Sequence, residues 1–112
     1  MFGHSKNEHA NAEISEKLNA LKQEILVVTS NNIAGKNIKK TLGIVRGVCD
    51  TPADSKKEFN LAEMEALCNM LIEAKNIRAN AVTDVKISTI TYKNSTWPDS
   101  LVIYIGTAVI TD

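Results

Sequence analysis

The segment Leu101 to Ile110, LVIYIGTAVI, constrains this chain more than any other. Successive residues of a strand point to opposite faces of a sheet. Here Leu101, Ile103, Ile105 and Val109 share one parity and Val102, Tyr104, Ala108 and Ile110 share the other, so both faces are apolar. A sheet with one face in water alternates apolar and polar residues, so this strand needs a cover on each side. The chain has 112 residues, enough for one domain, and only one long helical stretch apolar enough to supply a cover. The expected architecture is therefore α+β, a two-layer antiparallel sheet with one main helix, plus an N-terminal helical extension. The unmet second cover points to self-association, as does the modest core that residues 25–112 could build alone.

The other elements follow from periodicity and punctuation. Residues 1–24 form the extension, with a helix predicted over 5–24: Ser5 and Glu8 make a capping box, and Ile14, Leu18, Leu21 and Ile25 form a narrow seam. Less than two heptads of seam suits an accessory contact with the domain or a neighbouring copy. Residues 25–112 form the main domain. ILVVTS, from Ile25 to Ser30, is a first strand, and KNIKKTLGIVRGVC, from Lys36 to Cys49, a second, bent or bulged at Gly43 and Gly47. Thr51 to Asn60 reads as a loop whose last residue caps a helix over Leu61 to Ile77. Met64, Leu67, Cys68, Leu71, Ala74 and Lys75, widened by Ile72, follow the spacing of its core face. A third strand runs from Ala81 to Lys93. Its apolar parity switches between Ile87 and Ile90, which predicts a one-residue bulge near Ser88 and Thr89. NSTWPDS, from Asn94 to Ser100, reads as a loop.

Thirteen basic and thirteen acidic residues cancel. No large field is available for a nucleic-acid backbone or an anionic membrane, so neither is an expected partner. Apolar runs fall far short of the roughly 20 residues that span a bilayer, and MFGHSKNEHANAE is too polar for a secretory signal, so a cytoplasmic location is expected. Cys49 and Cys68 make no CxxC pair and suit reduced thiols.

Few residues look chemical. Gly35 and Lys36 resemble the end of a phosphate-binding loop, but Ser30 stands where that loop needs glycine and Asn37 where it needs Ser or Thr. Asn31, Asn32 and Gly35 instead favour a turn between strands. His4 and His9 are five apart, off the three or four spacing that places two ligands on one helix face. Asp84 is expected in a surface or interface ion pair with Lys86 or Arg46, and Trp97 at a hydrophobic edge. Cys68 falls on the helix's core face, where an inert thiol is the default. Cys49, next to Asp50, is the candidate metal ligand: one soft donor per chain is a poor site, but ring symmetry would multiply it. No nucleophile, base and orienting group come together, so no enzymatic activity and no cofactor are expected.

Three blocks in order carry a family resemblance: VVTSNNIAGKNIKKTLGIVRGV, LIEAKNIRANAVTDVKI and YIGTAVI. Together they resemble the YbjQ-like family over Ile25 to Ile110. The resemblance implies a dodecin-like subunit of β-α-β-β type that assembles into a pentameric ring. Such a ring would cover the second face of the last strand. Members carry a heavy-metal-binding label and bring no established enzymatic activity. The resemblance thus implies a non-enzymatic, ring-forming binding or scaffold protein, with a heavy-metal or metalloid carrier using Cys49 as the alternative. Its partners are further copies of the chain, with a small ligand or a metal ion still unidentified. Two departures stand out. DTPADSKKEF replaces a longer segment with a GGRS motif, and Arg78 stands where the family has glycine after the helix. Glycine there suits the positive φ that often ends a helix, and an arginine in that geometry is strained by about 1 kcal/mol.

Overall fold

The doubly apolar segment is a central strand. The computed structural model describes the backbone of residues 2–52, 56–94 and 97–112 and the side chains of residues 12–51, 56–92 and 99–112. Along the chain the elements are α1 (Phe2–Glu24), β1 (Leu26–Val27), β2 (Ile38–Pro52), α2 (Lys56–Asn76), β3 (Ala81–Asn94) and β4 (Trp97–Thr111). The fold is α+β, and its sheet has the order β1-β3-β4-β2. The three long strands are antiparallel neighbours, with β4 between β3 and β2. Short β1 joins parallel to β3 through Leu26 and Val27 opposite Ala81 and Val82, which makes the sheet mixed.

α2 supplies the cover for one face. Its Ala62, Ala66, Leu67, Cys68, Met70, Leu71 and Ala74 are buried. Burial of side chains such as Met70 and Leu71 stabilises the fold by about 1.5–3 kcal/mol each. Ala62, Ala66 and Met70 were not part of the face read from the sequence; they lie towards the sheet, and small residues there bring the helix close. Gly47 completes that approach: a Cβ on it would sit 1.8 Å from the Ala66 carbonyl oxygen and 2.4 Å from the Met70 nitrogen. The expected bend at Gly47 is therefore replaced by an unbroken ladder, and its glycine serves contact with the helix. Gly43, at φ 137°, does sit in a register shift.

α1 is less accessory than its seam suggests. Leu18, Leu21 and Ile25 join the principal core with Leu67, Leu71, Val45 and Val82, and Ile14 packs against it. Ser15 Oγ donates to Met64 Sδ at 3.7 Å, and an exposed Lys75–Glu24 pair at 2.9 Å links the helix ends.

Several boundaries differ from the sequence reading. α2 starts at Lys56, so Asn60 lies inside it and does not cap it; Phe59, partly buried against Ala62, Ala66 and Val102, rewards the extra turn. Trp97 to Ser100 belong to β4 and not to a loop, since Asn94 already pairs with Trp97. The bulge in β3 lies between Thr83 and Lys86, earlier than Ser88 and Thr89. Asp84 holds it at φ 54°, its N–H donating to the Ser30 carbonyl at 2.9 Å, so its role is a backbone one. Opposite, Gly106 has no room for a Cβ, which would lie 2.5 Å from Val82 Cγ1. Arg78 takes the left-handed position after α2, at φ 67°. The Ala79 and Arg78 N–H groups return to the Ala74 and Lys75 carbonyls, each at 3.0 Å, the pairing of a Schellman ending.

Among the described residues the second face stays open except at one end, where Ile33 packs with Ala81, Val109 and Val28. Farther along, Ile44 is 71% exposed, Ile90 51%, Val48 40% and Ile105 36%.

Candidate functional site

The first candidate to be tested is the turn around Gly35 and Lys36. Gly35 adopts φ 75°, and the Lys36 N–H closes back on the Ile33 carbonyl at 3.1 Å. Lys36 Nζ donates to the Asp112 carbonyl at 3.2 Å, and the Asn37 N–H to Asp112 Oδ1 at 2.9 Å. These groups hold a turn against the end of β4, as expected for a chain reversal.

Cys49 has the richer surroundings. β2 runs past α2 with Val45, Gly47, Cys49 and Thr51 on the helix side, and this parity delivers the thiol to the helix. Cys49 Sγ donates to Glu65 Oε2 at 2.9 Å, with the Asp50 carbonyl a more distant acceptor at 3.5 Å. Around this contact lies a depression of about 240 Å³, lined by Cys49, Asp50, Thr51, Glu58, Leu61, Ala62 and Glu65. Glu58, Leu61, Ala62 and Glu65 recur at helical spacing, one stripe of α2 turned to the pocket. Tyr92 reaches across the open face and donates from its hydroxyl to Asp50 Oδ1 at 3.0 Å.

This environment keeps the thiol protonated. Burial, then the Glu65 hydrogen bond and charge, then the Asp50 charge push the Cys49 pKa up to about 12. The adjacent Asp50 acts in the direction expected from sequence, but burial and Glu65 contribute more. A thiolate nucleophile or soft-metal ligand is prepared the opposite way, by neighbouring positive charge. Among the described residues no three His, Cys, Asp or Glu side chains are placed to hold a metal ion.

Cys68 is 2% exposed within the principal core, as expected for an inert thiol. Its pKa is raised, by burial first, with Lys17 and Lys22 opposing. His4, His9 and Trp97 have side chains outside the described residues. Sequence reasoning found Cys49 and missed Glu65 and Glu58. The available signal was two carboxylates seven apart, on one face of a helix once that helix is extended back to Lys56. Among the described residues no helix is long and apolar enough to cross a membrane.

Comparison with known proteins bears on this geometry. A family model, YbjQ_1, described as "Putative heavy-metal-binding", matches residues 52–112, more than half of the chain. No curated protein matches the sequence. Among solved structures the chain resembles a protein of unknown function from Pediococcus pentosaceus ATCC 25745, assigned to the DUF74 family. The TM-score is 0.63 at 18% identity, over 79% of this chain and 98% of that one, a likeness of fold.

Proposed function

The chain belongs to the YbjQ family, and on that premise we propose that it is a non-enzymatic, homo-oligomeric binding or scaffold protein of the cytoplasm. Its copies form a ring, pentameric as the sequence resemblance implies. The observation that carries this reading is the uncovered half of the sheet. Ile44, Val48, Ile90 and Ile105 stand exposed on its open face among the described residues, while α2 is spent on the other face. Monomeric soluble proteins rarely leave large contiguous apolar surface in water, and a further copy is the simplest cover. The non-enzymatic reading is supported by the protonated Cys49 thiol, which is prepared against nucleophilic use. Free cysteines in separate elements suit a reducing compartment. Light scattering at micromolar concentration tests the assembly: the mass of five chains is expected, and the mass of one chain contradicts it.

The family description and the sulfur and carboxylate donors of the Cys49 pocket support a second reading, a carrier of thiophilic ions. The pocket offers one thiol that must first lose its proton beside Glu65, so only weak binding is expected. Titrating reduced, metal-free protein with cadmium, with Cys49→Ser as control, separates the two readings. Submicromolar binding that disappears in the control promotes the carrier.

A further inference from the structure

The depression beside Cys49 holds more acceptors than donors, and the thiol does not account for the surplus. Glu65 takes the Cys49 S–H on Oε2, and among the described residues it has no other hydrogen bond and no ion pair. A thiol is a weak donor, so this half-buried carboxylate keeps most of its accepting capacity. Thr51 adds a second, independent sign. It is 5% exposed, and its hydroxyl makes no hydrogen bond among the described residues. Among those residues no fully enclosed side-chain nitrogen or oxygen lacks a partner, so the Thr51 oxygen is not enclosed. Its remaining access is to the depression that it lines with Cys49 and Glu65. β2 sets this aim: Thr51 follows Cys49 at the strand's two-residue period, held in register opposite Ser100. Buried hydroxyls without a protein partner are answered by water or by a ligand.

The neighbouring groups set the chemistry of that ligand. No Lys, Arg or His lines the depression. The Asp50 carboxylate turns to the open face to accept from Tyr92, while its carbonyl lies within reach of the Cys49 thiol. Glu58 lies two turns before Glu65 on the same helix stripe, about 10 Å along the axis, and Leu61 and Ala62 between them add an apolar wall. The volume of about 240 Å³ falls below the roughly 300–1,000 Å³ of drug-sized sites, so the occupant is small. A directly chelated metal ion does not meet these terms, since among the described residues no three His, Cys, Asp or Glu side chains are placed to hold one. A primary ammonium meets them: it is a compact cation with three N–H donors and no acceptor, and its alkyl chain suits the apolar wall.

We propose that the Cys49 pocket binds a small primary alkylammonium, its nitrogen shared by Glu65 and the Thr51 hydroxyl and its chain against Leu61 and Ala62. The proposal rests on the binding reading above and deepens it by naming a ligand class; it does not need the ring. The thiol contributes no charge. It stays protonated and holds Glu65 Oε2, which leaves Oε1 for the ligand. An N–H donor on the ligand then supplies the Thr51 hydroxyl with the partner that the chain itself does not.

Calorimetric titration of the full, reduced chain at neutral pH decides it, with n-butylammonium chloride as the probe. Two analogues accompany it: butyltrimethylammonium keeps the charge and chain without any N–H, and n-butanol keeps the chain without the charge. Saturable binding of butylammonium is expected at a Kd of about 1 mM or tighter, at least about tenfold weaker binding of the trimethyl analogue, and none of butanol. Glu65→Gln should weaken butylammonium at least about tenfold and Thr51→Val about threefold. Cys49→Ser keeps a donor for Glu65 and should leave it within about twofold, which separates this site from a thiol-dependent metal site. Equal affinity for the ammonium and its trimethyl analogue, or no saturation by about 10 mM, overturns the proposal, and neither comparison depends on a variant that folds. Light scattering reads the assembly separately. A chain of single mass that binds butylammonium keeps this site and removes the ring, and a pentamer that does not bind it removes the site and keeps the ring.

Discussion

The two faces of the β4 strand are built from the same kinds of residue and end differently. Val102 and Ala108 on the helix side are fully buried, under Ala62, Ala66 and the core around Leu71. On the opposite side Ile105, with Ile44 of β2 and Ile90 of β3 on the same face, stays exposed. The difference lies in the connections, not in the strand. The β2-to-β3 connection contains the long helix α2 and the sheet-covering layer, while the β1-to-β2 connection contributes Val28 and Ile33 to the other side. A chain that makes a strand apolar on both faces and covers one of them leaves the other as the surface on which the proposed assembly rests.

The largest expected effects lie on the covered side. Gly47→Val places a Cβ into the backbone of Ala66 and is expected to destabilise the fold by about 3 kcal/mol or more, read as a lowered urea midpoint. Leu71→Ala should cost about 2–5 kcal/mol, whereas Ile44→Ala, 71% exposed, should change the unfolding free energy of the isolated monomer by about 0.5 kcal/mol or less. Equal losses at the two positions would break the contrast between the faces. A smaller effect of opposite sign is expected at the end of α2, where Arg78→Gly relieves the positive φ and should stabilise by up to about 1 kcal/mol in thermal unfolding.

The mildest prediction concerns Cys49, which lies at the rim of the covered side. Its pKa is raised in the folded chain from 9.0 to about 12, so the fold favours the protonated thiol. Stability from this group is therefore constant below about pH 9 and declines between about pH 9 and 12, as the unfolded thiol ionises first. Glu65→Gln should lower the Cys49 titration midpoint, followed by ultraviolet thiolate absorbance, because it removes the neighbouring carboxylate charge. An unchanged midpoint would assign the shift to burial and the Asp50 charge.

The type of each element was legible in the sequence because periodicity and turn residues state it locally. The apolar spacing of α2 and the two-sided apolar character of β4 both survive in the structure. Boundaries were less legible, since Phe59 earns its helical turn through contacts with Val102, more than forty residues away. The bulge at Asp84 was misplaced for a similar reason: it answers to Ser30 on β1's continuation and to Gly106 across the sheet, neither of which alternation within β3 records. At the candidate site, Cys49 was visible by residue type. Its partner Glu65 was not, because their meeting depends on how close Gly47 lets α2 approach β2.

The account stands on the claim that further copies of this chain complete the open half of the sheet. Sedimentation equilibrium of the wild-type chain over a dilution series tests it most directly. The predicted result is a single species at five chain masses across the micromolar range. A single species at one chain mass at every concentration would contradict it.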